Sequence, residues 1–318
     1  MRAHREAIAV AVVVAALVVA PLGQGNYIAY LLCSWLMLSI AAMGLNLTLG
    51  YAGRISLAQA SFIGIGAYAT SIVTLAHYPW VLGMAVGVVL CFVVGLLLGF
   101  PALRVRGHYL AFVTLAFNSL FFLVARNEDW LTGGTYGLSG MPRPRIGPVS
   151  TSGQLAFYYF TLAVALLAAL VLRLIVRSPW GRAFKALREN EVRAESLGLD
   201  VRRLTLLAFA IGSAYGGLAG AIEAPLVQYI DPGSFDVVQS LSLLLMVVVG
   251  GLGEFWGPVL GSAVAVLLPE ALRVTAAYYL MLYAIAVILL MTRCPGGLIG
   301  LVRRIAARPA RRRGAAVS

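Results

Sequence analysis

Apolar residues in this sequence are gathered into long runs that a water-soluble core has no way to accommodate. The runs occupy residues 7–22, 27–49, 55–76, 80–100, 109–125, 154–176, 204–227, 240–250, 258–272 and 276–292 of a 318-residue chain. Crossing about 30 Å of hydrocarbon at 1.5 Å per residue takes roughly 20 helical residues, and several runs meet or approach that length. Lipid offers no partner to a free backbone N–H or C=O, so with apolar runs of this length helices are the expected spanning element. The expected fold class is therefore all-α, a polytopic membrane protein of about eight to ten transmembrane helices, some of them broken or re-entrant. Composition agrees, with 61% hydrophobic and 11% charged residues, against roughly one-quarter charged in soluble domains.

The net charge of +12 does not point to nucleic acid, because the arginines lie between the apolar runs and in the tail and form no single soluble face. Read by the positive-inside rule, they set an orientation. With the N-terminus inside, Arg54, then Arg104 and Arg106, then 177–203, and finally 293–313 all fall on the cytoplasmic side. The opposite loops are 23–26, 77–79, 126–153 and 228–239; Arg126, Arg143 and Arg145 fit this scheme less well. Residues 1–22 have the basic flank and apolar run of a secretory signal, but Val18 and Pro21 spoil a small-x-small cleavage site, so a retained first helix is expected. Cys33, Cys91 and Cys294 read as small buried hydrophobes.

Two places interrupt the runs. Gly50, Gly53, Ser56, Gln59, Ser61, Gly64 and Gly66 crowd the start of the third, and the short 240–250 run meets the next through 250–258, which holds Gly250, Gly251, Gly253, Glu254 and Gly257. The late pair is either two short spans or a re-entrant hairpin. Small residues let helices approach closely. Paired glycine interruptions also mark broken helices along a central pathway. Pathway candidates are Asn46, Ser56, Gln59, Glu223, Gly250, Gly251 and Gly253. An ionisable Glu223 at membrane depth is a functional candidate, with an interfacial or helix-pairing role as its competitor. Asn46 and Gln59 equally suit hydrogen bonding between helices.

The longest charged stretch, 177–200, starts with the helix signal Ser178-Pro179 and meets a stop at Gly198. Ala183, Leu187, Ala194 and Leu197 recur at helical spacing between charged positions, which predicts one short amphipathic helix outside the membrane. It could lie on lipid, but four acids among the bases weaken that reading. The alternative is a docking helix that fits a groove on a soluble partner.

Residues 181–191, with Ala194 and Gly198, resemble the cytoplasmic coupling segment of branched-chain amino acid ABC permeases of the LivM type. The stretches 44–57, 131–140 and 250–258 agree with that family in order, so the resemblance covers roughly 44–300. It implies an ABC importer permease with 1–300 as one transmembrane domain, 177–203 as its cytoplasmic coupling segment and 301–318 as a basic tail. The implied coupling residues are Gly181, Arg182, Ala183, Ala186, Leu187, Arg188, Glu189, Asn190, Glu191, Ala194 and Gly198. The implied partners in a bacterial inner membrane are a homologous second permease, two ATP-binding cassette ATPases and an extracytoplasmic substrate-binding protein. The implied cargo is leucine, isoleucine or valine. Asn118-Ser119 departs from the Gly-Glu pair expected there.

No cofactor is expected in this chain, with ATP and magnesium left to partner subunits. The sequence holds one lysine, Lys185, and a phosphate-binding loop needs a lysine followed by Ser or Thr, where this one precedes Ala186. The rival cargoes are urea, short amides or simple sugars. An ion-gradient transporter would have no use for a docking helix, and an intramembrane enzyme would need a catalytic or metal-ligand cluster that His4, His77 and His108 do not supply.

Overall fold

A computed structural model describes residues 15–21, 25–104, 108–146, 149–150, 153–272, 288 and 297–300. The expected run at 276–292, apart from residue 288, lies outside these, as do residues 7–14 and 22 of the first run, Cys294 and the tail 301–318.

Helix α1, Asn26–Leu45, loosens into a π-helical turn, Asn46–Tyr51. An extended stretch leads to α2, Gln59–Leu75, followed by α3, Trp80–Arg104, and α4, His108–Asn127. The one-turn α5, Asp129–Thr132, precedes α6, Gln154–Arg177. Next come α7, Pro179–Glu189, and α8, Glu191–Ser196, then the long α9, Val201–Val227. Two shorter helices, α10, Val237–Gly250, and α11, Gly257–Leu272, complete the described set. Among the described residues five stretches are long and apolar enough to cross a membrane: Asn26–Tyr51, Trp80–Pro101, Tyr109–Asn127, Gln154–Arg177 and Val201–Val227. The chain is a polytopic all-α membrane protein.

Burial separates the central helices from the peripheral ones. The most apolar windows of Asn26–Tyr51 and Val201–Val227 are 72% buried, against 22–28% for the other three, so α1 and α9 form the middle while α3, α4 and α6 keep an apolar outer face. Small residues make this possible, because helices in lipid associate through close packing rather than through exclusion of water. At the crossing of α2 and α9, a Cβ on Gly66 would overlap the backbone of Gly217, and a Cβ on Gly44 of α1 would overlap that of Gly212.

The loops sort to two ends of α9. Beyond its C-terminus, β1 (Leu138–Ser139) pairs antiparallel with β4 (Tyr229–Ile230), Leu138 opposite Ile230. A second small pair joins β2 (Arg145–Ile146) to β3 (Val149–Ser150). The glycine-rich 131–140 stretch is part of this end structure, with Thr132 Oγ1 donating to the Ala125 carbonyl at 2.6 Å. At the other end, Arg54 meets Glu191 at 3.0 Å. Loops assigned to opposite sides by the arginines are thus gathered at opposite ends.

Helices α10 and α11 have 14 and 16 residues, about 21 and 24 Å at 1.5 Å per residue. They follow one another through the glycine-rich turn, and α11 lies antiparallel along α1. Asn46 Nδ2 donates to the Glu254 carbonyl at 3.0 Å, Ser39 and Ser262 hydroxyls meet at 2.7 Å, and Tyr27 Oη donates to Glu270 at 2.8 Å.

Candidate functional site

The charged segment folds back beneath the helix ends. Pro179 begins α7 at a position where its missing N–H costs nothing, and Gly181 fits against the backbone of Val176 where a side chain could not. Gly181, Phe184 and Leu187 share the buried face of α7 and join the chain's own core, with Phe184 fully buried and Leu187 4% exposed. Ala183 and Ala186 pack half-buried beside them.

The single amphipathic helix expected here is two. At Asn190 the backbone turns extended (φ −163°, ψ 113°), and its side chain accepts from Arg193 N at 3.0 Å to cap α8. An asparagine that can satisfy a first-turn N–H favours a new start over continuation. The expected stop at Gly198 is present: Leu199 N donates to the Ala194 carbonyl at 3.1 Å and Gly198 N to that of Glu195 at 2.9 Å, a Schellman closure. The apolar positions divide differently from the sequence reading. Leu187 and Ala194 turn inward, whereas Leu197 is 77% and Val192 71% exposed. The open face also carries Trp180, Arg182 and Glu189.

Both glycine interruptions meet this helix pair. Asn46 clamps them together: its Nδ2 donates to the Glu254 carbonyl at 3.0 Å and its Oδ1 accepts from Gly253 N at 2.9 Å. Arg188 Nη1 donates to the Gly50 carbonyl. Gly53 and Gly253 both adopt positive φ (70° and 75°) against Arg188, where side chains would be strained and crowded. Lys185 Nζ stands 5.7 Å from the centre of the Tyr51 ring, and the Arg54–Glu191 ion pair, with side chains 12% and 32% exposed, closes the edge. Gly250 and Gly251 are buried in the turn between α10 and α11.

The other pathway candidates sit elsewhere. Gln59 Nε2 donates to the carbonyls of Ala41 and Gly212, at 3.0 and 3.2 Å, and so joins α1, α2 and α9. Ser56 is buried, and its hydroxyl accepts from Ala58 N at 3.4 Å. Glu223 is half-buried near the far end of α9, well removed from the junction of Asn46, Gly250, Gly251 and Gly253.

Sequence reasoning passed over a polar cluster around the start of α2. Leu57 N donates to Thr114 Oγ1 at 2.9 Å, Ala60 N to Ser240 Oγ at 3.1 Å and Ser61 N to Asn118 Oδ1 at 3.2 Å. A helix that begins inside the bundle needs such acceptors for its first N–H groups, and Asn118, fully buried, is one of them. The signal available in the sequence was a polar Asn118 in an apolar run. The Arg54–Glu191 and Lys185–Tyr51 contacts join segments far apart in sequence and left no such signal.

Residues 27–292 match the family model described as branched-chain amino acid transport system / permease component. The chain is 33% identical over 291 residues to the high-affinity branched-chain amino acid transport system permease protein LivM of Escherichia coli K12, covering 83% of this chain and 68% of that one. A probable LivM of Methanocaldococcus jannaschii is 28% identical, over 70% of this chain and 74% of its own. A probable LivH of the same organism is 30% identical over 32% of each chain. No solved structure matches. The long match runs from α1 through both interruptions and the short helices α7 and α8, and the chain belongs to the family of permease components of branched-chain amino acid transport systems.

Proposed function

We propose that the chain pairs with a homologous second permease to form the pathway for leucine, isoleucine or valine in a bacterial inner membrane. Two ATPases bind ATP and magnesium on the cytoplasmic side, and an extracytoplasmic binding protein delivers the cargo. The family supplies the permease component of ABC importers, and the similarity to LivM proteins supports the cargo.

The observation that carries the coupling role is the two-sided build of α7 and α8. Their inner face belongs to this chain's core, while Trp180, Arg182, Glu189, Val192 and Leu197 are exposed on helices too short and too polar to span. That face is the ATPase dock, with apolar Val192 and Leu197 as anchors and the charges setting register. The arginine distribution supports placing it in the cytoplasm. Asn46, Gly250, Gly251 and Gly253 line the inner part of the pathway, and Ser56, Gln59 and Glu223 belong to its wall.

Reconstitution in proteoliposomes tests this reading. The four membrane and ATPase subunits with the binding protein should take up leucine only with ATP, whereas this chain alone should not hydrolyse ATP. ATP-dependent uptake of a different solute class with no competition by leucine would overturn the cargo. ATP turnover by the isolated chain would overturn the division of labour.

A further inference from the structure

We propose that Arg188 is the latch of a gate formed where the two helix interruptions meet, so that movement of the docking helices acts first on residues 46–53 and 250–254. The inference rests on the coupling role given to α7 and α8 above and adds the moving part.

One guanidinium touches both interruptions. Arg188 Nη1 donates to the Gly50 carbonyl, and Gly253 lies so close that a Cβ there would overlap Nη1 and stand 2.7 Å from the same carbonyl. The stem of Arg188 packs on Gly53, where a built Cβ would lie 3.0–3.3 Å from its Cγ, Cα and Cβ. Asn46, fully buried, fastens the first interruption to the second through Gly253 N and the Glu254 carbonyl. The first interruption is therefore held from two sides, by Asn46 within the bundle and by Arg188 from the docking helices.

The neighbouring polar contacts repeat the pattern. Lys185 of α7 faces the ring of Tyr51, and Glu191 of α8 pairs with Arg54. Both contacts join the docking helices to residues 51–54, immediately after the π-helical turn.

The backbone at this junction suits movement. A π-helical turn is rare and is frequently found at functional sites, residues 46–51 form one, and Gly251 and Gly253 bring the second interruption through with positive φ. Because Phe184 and Leu187 root α7 in the chain's core, a shift of α7 is felt at Gly50 and Gly253 through Arg188 and at Tyr51 through Lys185. With Asn46, Gly50, Tyr51 and Gly251 buried, the junction is closed in the described structure. The geometry gives Arg188 the role of a positioning residue, holding the gate shut until the dock moves.

The test is the amount of leucine transported per ATP hydrolysed by the complete importer in proteoliposomes, measured for Arg188→Ala and Arg188→Lys. Co-purification of the ATPases is measured in parallel. The expected result is that the ATPases remain bound while transport per ATP falls roughly tenfold in Arg188→Ala, the factor carried by losing a hydrogen bond from a charged group. Arg188→Lys, which keeps a cation but lacks the fork, should fall in between. A purely structural role would lower uptake and hydrolysis together through the amount of folded complex and leave their ratio unchanged, and that outcome overturns the latch. Loss of the ATPases from the Arg188→Ala complex also overturns it, by making Arg188 part of the dock. Should Arg188→Ala not be recovered, the ratio in Arg188→Lys decides. Failure of the coupling role itself is read separately, as unchanged ATPase recovery when exposed Val192 is replaced by Asp.

Discussion

Leu187 and Val192 sit five residues apart on the two short helices and should behave oppositely when replaced by Asp. Leu187 is 4% exposed in the core formed with Phe184. A carboxylate buried there without a partner costs about 3 kcal/mol or more, so Leu187→Asp should lower the thermal stability and yield of the detergent-purified chain. The resemblance places Leu187 among the coupling residues, and its packing ties it to the chain's own core. Val192, 71% exposed, should tolerate Asp with no change in melting temperature. ATPase recovery should nevertheless fall about thirtyfold if Val192 anchors the dock at about 2 kcal/mol. Asn46 has both amide atoms engaged across the junction. Asn46→Ala leaves a backbone N–H and a C=O without their partner, at about 1–3 kcal/mol for each buried group, and should lower the melting temperature. A melting temperature equal to that of the parent would show that water replaces the amide.

Among the elements, α9 owes its central place to small residues along its length. A side chain on Gly66 would overlap Gly217, one on Gly217 would press on Cys91 and Gly87 of α3, and Gly212 and Gly44 approach each other too closely for a side chain on either. Gly66→Leu should therefore separate α2 from α9 and cost at least the 1–3 kcal/mol typical of overpacking. The expected observation is aggregation or a lowered midpoint in a size-exclusion thermal series. Gly25, with open space around its Cβ direction, is the control in which Ala should change little. A stable, monodisperse Gly66→Leu protein would mean that the helices can slide to a new register. The start of α2 gives a second element-level case, because the N–H groups of Ala60 and Ser61 in its first turn depend on Ser240 and Asn118, and that of Leu57 just before it on Thr114. Asn118→Asp keeps the acceptor where Asn118→Leu removes it. The leucine variant should be less stable by about 1 kcal/mol or more, the usual value of a helix N-cap.

Across the whole molecule the testable property is sidedness. The strand pair near Ser139 and Tyr229 lies beyond one end of α9, and the short helices α7 and α8 lie beyond the other. In a cysteine-free background, Tyr136→Cys should react with an impermeant thiol reagent added outside intact cells, and Ser196→Cys should react only after permeabilisation. Both side chains are exposed, so accessibility does not confound the comparison. The reverse labelling would invert the arginine-based orientation and move the proposed dock away from any cytoplasmic ATPase.

The sequence by itself pointed to a multi-pass helical membrane protein, because the uninterrupted apolar runs match the length of a spanning helix and a helix satisfies its own backbone groups in lipid. It also located both interruptions and the end of the docking segment at Gly198, since glycines and capping residues act through local backbone preferences. Tertiary structure decided what those features touch. Asn190 breaks the docking segment in two, Phe184 and Leu187 face inward, α11 runs the length of α1, and Arg188 meets both interruptions. Each of these depends on contacts between residues distant in the chain. Helical periodicity gives the spacing of an apolar face but not its partner, so the sequence marked Leu187 as a contact and only the fold showed that the contact is with the chain's own core.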